Sequence, residues 1–145
     1  GEWNFDGGME GVTQYVLENL EVPITFSGFE VGVAIKTGAV FNDIDPDTPL
    51  YKGFMHFSEH APWMKEQFEG KILDNSSYDQ TSVLYAVRGG IGEYWDRVIG
   101  GHCVAEPNGD NRWVPVKPTH HSYLRLTASG EEMAALIEAI MLGEF

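Results

Sequence analysis

The chain has 145 residues, 43% apolar and 12% aromatic, enough for one domain with its own core and too apolar for a disordered chain. Nine basic and 22 acidic side chains leave a formal charge of −13, which argues against nucleic acid or an anionic membrane as partner. The single Cys103 excludes an intramolecular disulfide framework, and no apolar run reaches about 18 residues, so no membrane span is expected.

In chain order, Glu2-Trp3-Asn4 reads as an extended segment whose first and third side chains share a side. Such a carboxylate and amide can bracket a sugar hydroxyl, although an ordinary frayed terminus fits them as well. Val12, Tyr15, Val16 and Leu20 recur at helical spacing, behind a start loosened by Gly7, Gly8 and Gly11. Pro23 comes next, and Ile24-Thr25-Phe26 is a short β-branched and aromatic strand. Ser27 to Gly32 turns into a second helix through Val33, Ala34 and Ile35, ending near Gly38. Helix, strand and helix with short connections give the rhythm of an α/β layer.

The segment 42–49 is a polar, Pro-rich loop. Its Asp43, Asp45 and Asp47 alternate like the start of a calcium loop, but Pro46 and Pro49 break that pattern and Phe54 stands where the closing Glu belongs. Thr48-Pro49 is a helix start, and Leu50, Phe54 and Phe57 lie on one side of that helix. His56, Glu59 and His60 form an H-x-x-E-H pattern; solvent-facing histidines are the plain reading and a zinc hydrolase the alternative. Pro62 places the second histidine at the helix end.

The segment 76–90 begins with a polar turn carrying Tyr78 and Asp79 and continues as a helix that buries a face bearing Val83, Leu84 and Val87. Asp79 thus sits at a helix N-terminus, where dipole and free N–H groups favour an anion. Spacing alone leaves two descriptions open, a capping carboxylate or a site carboxylate aimed at a metal or sugar. After Gly92, Cys103 to Glu106 and Arg112 to Val116 are the arms of a hairpin around Pro107-Asn108-Gly109, with Pro115 on an edge. His120 and His121 read as surface or turn histidines. Residues 122–127 alternate as a strand, Ser129 and Glu132 form a capping box, and the last helix buries Met133, Leu136, Ile137, Ile140 and Met141 before Gly143. No phosphate loop, dinucleotide fingerprint or G-x-S-x-G is present.

Three stretches in this order, Glu2-Trp3-Asn4, Pro23 to Gly32 and Ser77 to Ala86, make the whole chain resemble the C-terminal half of the inosine/uridine-type nucleoside hydrolases. The resemblance implies an α/β fold: a partial open, mainly parallel sheet flanked by helices, with a β-hairpin and a C-terminal helix, in a single domain over residues 1–145. It implies hydrolysis of the N-glycosidic bond of ribonucleosides with a calcium ion at the C-terminal ends of the strands. Asp79 would be a calcium ligand that also touches the ribose. Glu2 and Asn4 would hold ribose hydroxyls. Tyr78 stands where many members place a histidine that protonates the leaving base; a tyrosine there can stack, but is a weak acid near neutral pH. The family's D-x-D-x-x-x-D-D calcium motif, with its catalytic base, has no counterpart in residues 1–145. The expectation is therefore a half enzyme with an incomplete calcium site, inactive alone, whose partners are a nucleoside and either the missing half or a second copy. The alternative is a non-catalytic α/β binding or self-assembly module. The residues say nothing about compartment.

Overall fold

The computed structural model describes residues 2–144, which form two compact units, one from the N-terminal stretch to Phe26 with Asp96–Arg125, the other from Ser27–Trp95 with the chain beyond Leu126. The architecture is α/β with a mixed sheet, and it ends in the expected C-terminal helix.

The first unit contains α1 (Trp3–Asp6), α2 (Val12–Asn19), β1 (Ile24–Phe26), most of β4 (Trp95–Val98), β5 (Gly101–Ala105), β6 (Asn111–Pro115) and most of β7 (His121–Leu126). Its three-stranded sheet has the order β1-β7-β4, with β1 parallel to β7 and Ile24 opposite His121. Strands β5 and β6 form the expected antiparallel hairpin, Cys103 facing Trp113. Leu124 is buried, as the alternation of β7 requires, with Cys103 and Ala105.

One expectation fails here. Glu2-Trp3-Asn4 is not extended: Glu2 caps α1 by accepting the Asn4 N–H at 2.9 Å, and Gly7 closes the turn in the left-handed region. The capping carboxylate outweighs fraying and places Asn4 inside a helical turn. The spacing of Val12, Tyr15 and Val16 gives the expected helix α2, on which these residues, with Leu20 at its C-cap, are exposed.

The second unit contains α3 (Phe29–Val33), β2 (Lys36–Thr37), α4 (Pro49–His60), β3 (Asn75–Ser76), α5 (Tyr78–Arg88) and α6 (Gly130–Leu142). Helix α4 starts where Thr48 accepts the Tyr51 N–H and ends with Ala61 extended before Pro62. Helix α6 carries the complete Ser129–Glu132 capping box, buries Met133 and Ile137, and stops at left-handed Gly143. The Ser129 hydrogen bonds hold the Glu132 carboxyl below its ordinary value.

Helix α3 is shorter than its apolar residues suggest. The carbonyls of Gly32 and Ile35 accept the Ser77 N–H at 3.2 and 3.0 Å, and the chain leaves the helix to pair β2 with β3. Part of the expected 42–49 loop is also ordered. Asn42 and Asp43 end a 3₁₀ helix (Ala39–Asp43), and the Asn42 amide both donates to and accepts from the Ile72 backbone.

Candidate functional site

Asp79 lies in the first turn of α5, the placement expected from sequence. The N-cap itself is Ser77, whose hydroxyl does not cap the helix; it is buried against Thr37 with the two oxygens 2.7 Å apart. Asp79 is therefore the acidic group at the positive end of this helix. Its carboxylate is exposed and forms no hydrogen bond among the described residues.

The face that α5 buries differs from the expected one. Thr81 and Leu84 are buried, whereas Val83 and Val87 are 60% and 76% exposed. Period alone does not choose the face. A hydroxyl bond from Thr81 to the Tyr78 carbonyl at 2.6 Å, with the Ser27 hydroxyl 3.4 Å away, satisfies a polar side chain on the inner side.

The α3–α5 packing sets the surroundings of Tyr78, the residue before Asp79. Tyr78 stacks on Phe29 with ring centroids 5.5 Å apart and an interplanar angle of 29°. Both rings reach solvent, Tyr78 at 37% and Phe29 at 63%. Gly32 makes this approach possible: a Cβ there would stand 2.4 Å from Tyr78 Cδ1 and 2.8 Å from its Cα. Gly32→Ala is expected to push Tyr78 away from Phe29 and cost about 1–3 kcal/mol by overpacking. Thermal unfolding, with tyrosine ring resonances tracked by NMR, checks both parts.

Phe29 is the member of this group that sequence reasoning left out, together with Glu30, as a turn residue. An aromatic side chain at a helix start has no sequence signal for exposure; only its packing against Tyr78 gives it a role. The Glu30 carboxylate folds back over Gly28.

Glu2 and Asn4 belong to the first unit, Tyr78 and Asp79 to the second. The Glu2 carboxylate is engaged by the Asn4 N–H, so a ribose hydroxyl there would compete with a helix cap. The Asn4 side chain is exposed.

Three other groups stand elsewhere. His56 and His60 are exposed at the end of α4 with rings stacked at 4.1 Å, and His60 Nδ1 is 2.9 Å from the His56 carbonyl. Asp45 accepts the Asp47 N–H while Asp47 pairs with Lys52 at 3.0 Å, as a solvated loop would. A cavity of about 410 Å³ is lined by Glu93, Tyr94, Glu132, Met133 and Leu136, away from Tyr78 and Asp79. The Glu93 hydrogen bond, ahead of burial, raises the Tyr94 phenol above its ordinary value.

One histidine departs from the surface reading. His120 is exposed, but His121 is buried, and its Nδ1 accepts the Cys103 N–H at 3.2 Å. The first residue of a central strand carries its ring inward.

Among the described residues, no group of three or more His, Cys, Asp or Glu side chains is arranged to hold a metal ion. Asp79 lacks the six to eight oxygens that calcium takes. The donor set does not fit a complete calcium site. The arrangement at α5 can accept a hydroxyl hydrogen bond and offer an aromatic face. No protein-family model matches the chain, and neither curated proteins nor solved structures give a significant match.

Proposed function

We propose that the chain supplies nucleoside recognition to a ribonucleoside N-glycosidic hydrolase. The observation that carries this reading is the exposed Tyr78–Phe29 stack at the start of α5, where the next residue is the exposed acidic Asp79. A nucleoside presents a flat π-face and vicinal hydroxyls. An aromatic ledge takes the first and a carboxylate the second. The order of the sequence stretches that resemble nucleoside hydrolases supports the same ligand. Under this reading Asp79 holds ribose hydroxyls and Tyr78 contacts the leaving base; Glu2, engaged as the cap of α1, and Asn4 take no part. Cleavage needs a carboxylate base and further cation ligands beyond Asp79, so recognition is the property this chain expresses.

The test is binding of inosine compared with its 2′,3′-dideoxy analogue by isothermal titration calorimetry, in calcium buffer. The hydroxyls are expected to contribute about tenfold in affinity, a hydrogen bond to a charged group being worth roughly 1.5–3 kcal/mol. Asp79→Ala is expected to erase that difference. Equal affinities for the two ligands in the unsubstituted protein would remove the proposal. Ribose released from inosine with calcium, and lost in Asp79→Ala, would extend the reading from recognition to hydrolysis.

A second reading, a non-catalytic self-assembly module, is favoured by the outward stripe of Met9, Val12, Tyr15 and Val16 on and before α2. Sedimentation that is independent of concentration would remove it.

A further inference from the structure

We propose that His121 is an acid-operated latch: its neutral imidazole fastens the β5–β6 hairpin to the start of β7, and protonation releases that fastening. The ring is 3% exposed, at the first residue of the strand that lies between β1 and β4. Two contacts tie the outer edge of β5 to this segment. The Thr119 hydroxyl donates to the Gly101 carbonyl at 2.6 Å, and the Cys103 N–H donates to His121 Nδ1 at 3.2 Å.

The second contact defines the tautomer. A ring nitrogen that accepts a backbone N–H carries no proton, so the neutral ring has its hydrogen on Nε2. Nε2 is itself buried and has no hydrogen-bond partner. Adding a proton must therefore place it on Nδ1, facing the Cys103 N–H. The acceptor is lost, two donors oppose each other, and a cation is left in a site without a counter-charge.

Among the described residues, nothing facing the ring offsets that charge. His120 lies beside it with centroids 4.4 Å apart, and His102 acts from β5; both disfavour a positive ring. Burial pushes the Cys103 thiol up, so it stays neutral. Strand β1 presents Phe26, edge-on at 5.5 Å, and Ile24, neither of which titrates. No carboxylate is hydrogen-bonded or ion-paired to the ring among the described residues.

Burial first, then His120 and His102, hold His121 below its ordinary value in the folded chain. The unfolded chain then binds more protons, and the stability involved is fully present above about pH 6.5 and lost as pH falls through the folded value.

The test is NMR on the whole chain. Ring-nitrogen shifts at about pH 7 should give His121 as the Nε2–H tautomer, titrating below the ordinary histidine value. The protection factor of the Cys103 amide, corrected for intrinsic exchange, should fall about tenfold or more between about pH 7 and pH 5. His121→Asn keeps an acceptor near the Nδ1 position and does not titrate, so its Cys103 protection should be flat over that range. Titration of His121 at or above the ordinary histidine value, or an equal loss of protection in His121→Asn, would overturn the latch. If the variant does not fold, the titration and tautomer of the unsubstituted protein decide alone.

Discussion

Trp95→Ala is expected to lower the stability of the second unit by about 4 kcal/mol, read from thermal unfolding by circular dichroism. Trp95 is fully buried, edge-on to Tyr85 at 6.3 Å and to Tyr94 at 6.0 Å, and its Nε1–H donates to the Gly89 carbonyl at 2.7 Å. Truncation leaves a large cavity where the chain returns from α5, and a part-buried carbonyl without its donor. Trp95→Phe retains much of the volume and loses only the donor, so roughly 1–3 kcal/mol is expected. Similar losses in both variants would mean that the hydrogen bond, not the packing, dominates at this position.

Gly130→Ala should cost about 3 kcal/mol, although alanine is the better helix former. Gly130 is the first residue of α6, and a Cβ there would lie 2.0 Å from the Ala34 carbonyl oxygen and 2.8 Å from its carbon. Main-chain atoms cannot rotate aside, so α6 or the segment after α3 must shift. At roughly 2–4 °C per kcal/mol, the midpoint should drop by about 10 °C. Gly53→Ala is the matched control. It lies inside α4 with nothing within 4 Å of the added methyl, and should stabilise by about 0.5–1 kcal/mol. A Gly130→Ala protein as stable as the parent would show that α6 packs less closely on this segment than these distances imply.

The elements that were legible in advance are those with local chemistry. Thr48-Pro49, the Ser129–Glu132 box, Gly143 and the turn Pro107 to Asp110 each satisfy or redirect backbone groups within a few residues. Asp79 at the start of α5 belongs with them. What sequence could not supply was the choice of face and partner. Val83 and Val87 have the spacing of a core stripe, yet Thr81 and Leu84 take the inside because a hydroxyl network satisfies the threonine. Helix α3 stops early because the Ser77 N–H, more than forty positions further on, claims its carbonyls. Glu2 reads as a free carboxylate until its cap on Asn4 is seen. Phe29 and His121 were missed for the same reason: one gains its meaning from Tyr78, the other from Cys103, both remote in the chain.

The candidate site rests on three side chains of one unit, two rings and a carboxylate, held by a glycine-mediated contact between α3 and α5. Tyr78 is the member that stands where the resembling family places a histidine. Its ring, rather than its hydroxyl, is the part that the Phe29 stack presents. In the proposed function, the nucleobase would lie on this aromatic surface and the Asp79 carboxylate would anchor the sugar.

The most direct measurement is an amide chemical-shift map of the isotopically labelled chain titrated with inosine at constant calcium and ionic strength. The account predicts saturable shifts confined to residues 28–32 and 77–82, with the Asp79 and Phe29 amides among them, and their loss in Asp79→Ala. No saturable shift in those segments, or the same map in Asp79→Ala, would contradict it.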